Sequence, residues 1–205
     1  MLESGFITAL RWRGVPIELH WTLFVGAVFV GGLRFAPGVW LGFFLLVLFH
    51  ELGHALLVRS ARARVLAIRM HGFGGECRYD GRVSPLARSA IAWGGVLAQG
   101  VLFGLTFALL ATPWAPRHRL VTQMLSVWLE PNLVLIGLNL LPFRPLDGAE
   151  AWKLFGRLRD RRGRRREAPP RARAPASVED RVRETVREAL ERAKREAREG
   201  RQQQR

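Results

Sequence analysis

The sequence predicts an all-α polytopic membrane protein with about four membrane-crossing helices, a small cytoplasmic β-hairpin and a basic helical tail. Three observations predict it. Apolar residues crowd between Ile17 and Phe143, whereas arginine dominates after Arg157. Hydrophobic residues make up 49% of the 205 and charged ones 24%, so an averaged hydropathy blends two solvents. Arginine also gathers in alternate connections between the apolar runs, as loops on one membrane face should. The net charge of +15 therefore belongs to exposed connections and a tail, not to a soluble globule. The single cysteine, Cys77, excludes an internal disulfide and a Cys-rich metal site. The N-terminus shows no apolar stretch leading to a small-residue cleavage site, so no cleaved secretory signal is expected.

A membrane helix needs roughly 20 mainly apolar residues. Four segments qualify. Ile17 to Phe35 is the weakest, with Glu18, His20 and Arg34 near its ends. Phe35 to Val58 carries only Glu51, Ser89 to Pro116 carries no charge, and Leu120 to Phe143 carries only Glu130. Arg11 and Arg13 precede the first span, and seven arginines from Arg59 to Arg88 separate the second from the third. The other side receives Arg34 and the Arg117-His118-Arg119 turn. An integral, multi-pass protein with both termini cytoplasmic is expected. Trp40 and Trp114 fall at outer ends and Trp12 and Trp152 near inner ones, but Trp93 and Trp128 do not fit an interfacial belt.

The connection from Ala63 to Arg82 is too polar to span. Val65 to Ile68 reads as one strand and Glu76 to Tyr79 as another, with Gly72, Gly74, Gly75 and Gly81 at turns. The membrane-embedded domain covers 1–156. An Arg/Pro-rich segment, 157–176, reads as a disordered linker. Over 177–205, Ser177 and Asp180 form a capping pair, and Val178, Val182, Val186, Leu190, Ala193 and Ala197 recur at helical spacing. Residues 177–199 offer a surface for self-association or partner contact. The basic charge also suits anionic lipid, at about 1 kcal/mol per arginine near the surface. No base-reading motif accompanies it, so no specific nucleic-acid binding is expected.

The second span contains His50-Glu51-Leu52-Gly53-His54. Residues four apart share a helix face, so both imidazoles can reach one zinc ion, while Glu51 is placed to act as general base toward a water. Two histidines and a carboxylate are costly in a bilayer and functional by default. A catalytic zinc needs a third protein ligand. Asp147 is the best candidate. It follows Asn139-Leu140-Leu141-Pro142-Phe143-Arg144-Pro145-Leu146, where two prolines must interrupt the helix. Such irregular backbone is tolerated at membrane depth only inside protein or beside a wet cavity. The same residues would also suit a helix end followed by an Asp-Gly turn. Two crossings separate His54 from Asp147, so both return to one membrane side.

With these residues in view, the sequence resembles the site-2 protease family of intramembrane metalloproteases. HELGH matches its zinc helix, and Asn139 to Gly148 resembles its Asn-x-x-Pro stretch leading to Asp-Gly. Gly94 to Gln99 resembles its Ala-Gly-Pro-x-x-Asn element, with Val96 for proline and Gln99 for asparagine. Phe73-Gly74-Gly75 resembles the glycine turn after the zinc helix, and Ala149 and Glu150 replace the glycine and basic residue often found after Asp-Gly. The resemblance implies one zinc per chain on His50, His54 and Asp147, with Glu51 as base. It implies that Asn139, Gly95 and Gln99 position substrate, and that single-span membrane proteins are cut in regulated intramembrane proteolysis. Two other readings are a catalytically silent relative that binds membrane proteins and a zinc carrier. The intact Glu51 and the lack of a second ligand set disfavour them.

Overall fold

A computed structural model describes residues 5–167 and 178–202. The chain divides into two units, Met1–Arg159 and Asp160–Arg205. The first begins with β1 (Phe6–Trp12) and β2 (Val15–His20), an antiparallel hairpin. Arg13 and Gly14 both have positive φ at its two-residue turn, the backbone that matches the twist of paired strands. Next come α1 (Thr22–Val30), α2 (Pro37–Ser60), β3 (Arg64–His71), β4 (Gly74–Asp80) and α3 (Pro85–Leu110). Then follow α4 (Arg119–Val127), α5 (Glu130–Asn139), the short α6 (Gly148–Ala151) and α7 (Lys153–Glu167). In the second unit α8 covers Val178–Gln202.

Two expectations are corrected. The first expected span, from Ile17 to Phe35, is not one helix. Its start pairs as β2, and α1 has only nine residues, about 14 Å at the helical rise against a core about 30 Å thick. Val15, Ile17 and Leu19 alternate with Pro16, Glu18 and His20, a period of two that a count of apolar residues overlooks. Nor is the fold all-α. The expected hairpin exists as β3–β4, but it is half of a four-stranded sheet in the order β1-β2-β3-β4. β2 lies parallel to β3, with Ile17 opposite Ile68, so the chain between them must cross over, through α1 and α2.

Among the described residues, three helices are long and apolar enough to cross a membrane: α2, α3 and the 119–139 stretch formed by α4 and α5. α2 starts at Pro37, whose missing N–H is harmless in a first turn. It ends in a Schellman arrangement. Arg62 takes positive φ, its N–H bonds the Arg59 carbonyl, and the Ala63 N–H bonds that of Val58. Ser84 caps α3 by accepting the Ala87 N–H at 3.1 Å. The third stretch breaks at Trp128 and Leu129, just before Pro131, which cannot donate to the helix ladder. Trp93 and Trp128 bond inside the protein instead of joining an interfacial belt. Their ring N–H groups donate to the carbonyls of Ala151 and Gly42.

The linker expected from residue 157 is helical in its described part, since α7 runs to Glu167. Arginine is a good helix former, and no proline intervenes before Pro169. Residues 168–177, including Ser177 of the capping pair, lie outside the described residues. In the second unit Val182, Val186 and Leu190 of α8 are exposed.

α2 and α3 pack closely where Gly53 meets Gly94. A Cβ at Gly53 would lie 2.7 Å from the Ala98 methyl and against the Gly94 carbonyl. Backbone cannot yield there, so Gly53→Ala should cost about 1–3 kcal/mol, as overpacking does. Thermal unfolding in detergent should show the loss as a lower Tm. An unchanged Tm would mean that the helices do not cross at these glycines.

Candidate metal centre

His50 and His54 stand one turn apart on α2, both buried. Asp147 comes from the irregular stretch between α5 and α6. Three groups converge: His50 Nε2 to His54 Nε2 is 3.1 Å, His54 Nε2 to Asp147 Oδ2 is 3.1 Å, and His50 Nε2 to Asp147 Oδ2 is 3.0 Å. Among the described residues, these three form the group that could hold a metal ion.

The donor set fits zinc. Ligand atoms about 2.0–2.1 Å from a tetrahedral zinc ion lie roughly 3.3 Å apart. The Nε2, Nε2 and Oδ2 triangle is close to that and leaves the fourth direction open. Each imidazole also has its other nitrogen committed. His54 Nδ1 donates to the Ile91 carbonyl at 2.7 Å, and His50 Nδ1 donates to Gln99 Oε1 at 3.0 Å. Both acceptors place the proton on Nδ1 and leave Nε2 with a free lone pair. Two lone pairs and a carboxylate facing one another at about 3 Å repel unless a proton or a metal ion lies between them.

Glu51 points into the same space without joining the triangle. Its Oε1 lies 4.0 Å from His50 Nε2, and the residue is 1% exposed. Its Oε2 is buried with no hydrogen-bond partner in the protein. A buried carboxylate oxygen without a partner is costly, so its place beside a ligand triangle points to use. Gly75 of β4 makes room for it, since a Cβ there would overlap the Glu51 carboxyl.

The four groups line a cavity of about 860 Å³. The turn between β3 and β4 forms one wall, and Asn139, at the end of α5, lies on another. Gln99 also lines it, but its amide is engaged with His50. Gly95 supports the His50 ring, since a Cβ there would strike the imidazole. Of the three expected substrate-positioning residues, Asn139 and Gln99 line the cavity, while Gly95 and Gln99 both bear on His50. Cys77 lines the cavity as well, with burial pushing its thiol up to about 12. That keeps it protonated and unreactive.

The segment carrying Asp147 is fastened by residues to which the sequence assigned no part in the site. Trp152 Nε1 donates to the Leu140 carbonyl at 2.6 Å, Trp93 Nε1 to that of Ala151 at 2.9 Å, and Ser89 Oγ to that of Glu150 at 3.0 Å. Glu150 pairs with Lys153 and Arg157. Burial works against its charge, but hydrogen bonds from those two cations outweigh it and hold the carboxyl below its ordinary value. Gly148 lets the turn fold onto Leu140 and Leu141, where a Cβ would strike their carbonyls.

No family model matches the chain. It is 31% identical over 170 residues to "Putative zinc metalloprotease Rip3" from two strains of Mycobacterium tuberculosis. That alignment covers 75% of this chain and 43% of the relative, so the chain spans under half the length of the curated relatives it matches. Among solved structures, the site-2 protease from Methanocaldococcus jannaschii is similar, with a TM-score of 0.57 and 24% identity. The match covers 73% of this chain and 71% of that one, and it shows a shared fold.

Proposed function

We propose that this chain, which belongs to the site-2 protease family, is a membrane zinc metalloendopeptidase that cuts single-span membrane proteins within or beside the bilayer. The observation that carries the reading is the unpartnered, buried Glu51 carboxylate beside three converging ligand atoms, all on the wall of one cavity. His50, His54 and Asp147 would hold one zinc ion per chain. Zinc so held supplies Lewis acidity toward a peptide carbonyl and makes a water more acidic. Glu51 takes the proton from the attacking water and returns it to the leaving amine, as a general base and then acid. Asn139 offers its amide to the substrate carbonyl. The wall between β3 and β4 and the flanking apolar helices limit water around the reacting atoms. The carbonyls of a helical substrate are engaged in its own ladder, so the segment must unwind before Glu51 can act on it.

The arrangement in the membrane is part of the same proposal. Both termini and the β3–β4 turn lie in the cytoplasm, the chain crosses several times, and basic residues beside that face meet anionic lipid. α8 is a surface for self-association or a partner. Single cysteines introduced at Arg117, Phe73 and Arg161, in a Cys77→Ala background, report sidedness by impermeant labelling. Arg117 should label from outside, and Phe73 and Arg161 only after the cytoplasmic face is opened. Phe73 labelled from the same side as Arg117 would overturn the orientation.

The direct experiment is reconstitution of the purified chain in liposomes with zinc and a panel of single-span proteins, followed by mass spectrometry of fragments. Cuts inside or at the edge of the spanning segment support the reading. A zinc-loaded chain that binds such proteins and never cuts them returns the case to a silent binder.

A further inference from the structure

Both imidazoles of the metal centre rest on one ridge of α3. Ile91, Gly95 and Gln99 are four residues apart, so they follow one another along a single helix face. The Ile91 carbonyl takes the Nδ1 proton of His54. The missing side chain of Gly95 admits the His50 ring. One turn further on, the Gln99 amide oxygen meets His50 Nδ1 at 3.0 Å. Gln99 is 1% exposed, and its backbone carbonyl accepts a 3.0 Å bond from Asn132 Nδ2. The same Asn132 amide bonds the Trp128 carbonyl at 3.1 Å, beside the break between α4 and α5. A polar chain thus runs from the break through α3 to a metal ligand on α2.

We infer that Gln99 is a positioning residue for His50, fixing its tautomer and ring angle for metal, and that Asn132 in turn fixes Gln99. This rests on the zinc reading above. It departs from the substrate-positioning role that the sequence resemblance implies for Gln99. A neutral imidazole carries its proton on either nitrogen, and only the Nδ1-protonated form presents Nε2 to the ion. The backbone carbonyl that selects this form for His54 is fixed by the helix itself. For His50 the selection depends on one side chain. Outer-shell partners of this kind are typically worth about 10–100-fold in metal affinity.

The test compares zinc affinity of the full-length chain in detergent, by chelator competition, for wild type, Gln99→Met and Gln99→Glu. Methionine fills similar space without an acceptor oxygen, so affinity should fall about 10–100-fold. Glutamate keeps an acceptor, and its affinity should match or exceed that of wild type. Visible absorption of the cobalt-substituted protein should change in Gln99→Met, because the His50 ring is released. Leu102→Ala, a cavity further along α3, should lower Tm and leave that spectrum unmoved. Wild type that binds zinc tightly with Gln99→Met within twofold of it overturns the positioning role alone. Wild type that binds no zinc overturns the metal reading beneath it. Should Gln99→Met fail to fold, Gln99→Glu still decides, since a tenfold weakening there contradicts the inference.

Discussion

Glu51→Gln will leave fold and zinc content unchanged while cleavage of a single-span substrate falls by about 10²–10⁴-fold, the range that a positioned general base supplies. The carboxyl stands outside the ligand triangle, 4.0 Å from His50 Nε2, so its replacement removes no ligand. Glutamine has the same shape and fits the room left by Gly75. What it lacks is the capacity to take a proton from water at neutral pH. Substrate should therefore enter and stay, and crosslinking should trap the complex in the Gln variant more than in wild type. Cleavage at the wild-type rate would remove Glu51 from the mechanism. The variant also yields a stable enzyme–substrate pair for locating the cut relative to the bilayer.

The site was more legible in the sequence than the fold around it, for a physical reason. Ligand chemistry is local along the chain. Two histidines four apart on an apolar helix announce themselves, and an Asp-Gly after two prolines announces a break. The sheet is not local in that way. The pairing of β2 with β3 joins Ile17 to Ile68, and nothing near either residue names the other. The alternation in Val15 to His20 was the available signal, and it was masked by the continuous apolar run that follows in α1. Counting apolar residues favours a span wherever a half-buried strand leads directly into a short apolar helix.

The outer contacts of the centre were partly visible as misfits. Trp93 and Trp128 sit where no interfacial belt needs them, and both donate ring N–H groups to backbone carbonyls of other segments. A tryptophan away from the interface in an apolar helix is thus a sign of an interhelical bond, since its N–H requires a partner once buried. Gln99 stands at its place in a motif, but the sequence does not give its hydrogen bond to His50. Sequence gives the residue and its helix face, whereas the choice between substrate and His50 depends on how closely α2 and α3 approach at Gly53 and Gly94. The Ile91 carbonyl left no sequence signal, because any residue there supplies one.

The combined substitution of His50 and His54 by alanine will abolish zinc binding, measured by elemental analysis of the purified chain and by chelator competition. Only Asp147 then remains of the triangle, and one carboxylate cannot hold zinc against water. Asp147→Ala alone will weaken binding by more than the 10–100-fold typical of an outer-shell loss, because it removes a direct donor. Folding should survive in both variants. α2 is held to α3 through Gly53 and Gly94, and to α4 through Gly42 beside Met124, contacts that do not involve the imidazole rings. Binding at a hundred times Kd stabilises the native state by about 2.7 kcal/mol, so added zinc raises the Tm of wild type and leaves the double variant where it was. Equal zinc content and an equal zinc-dependent rise in both proteins would place the metal elsewhere in the chain and remove the premise on which Glu51 acts.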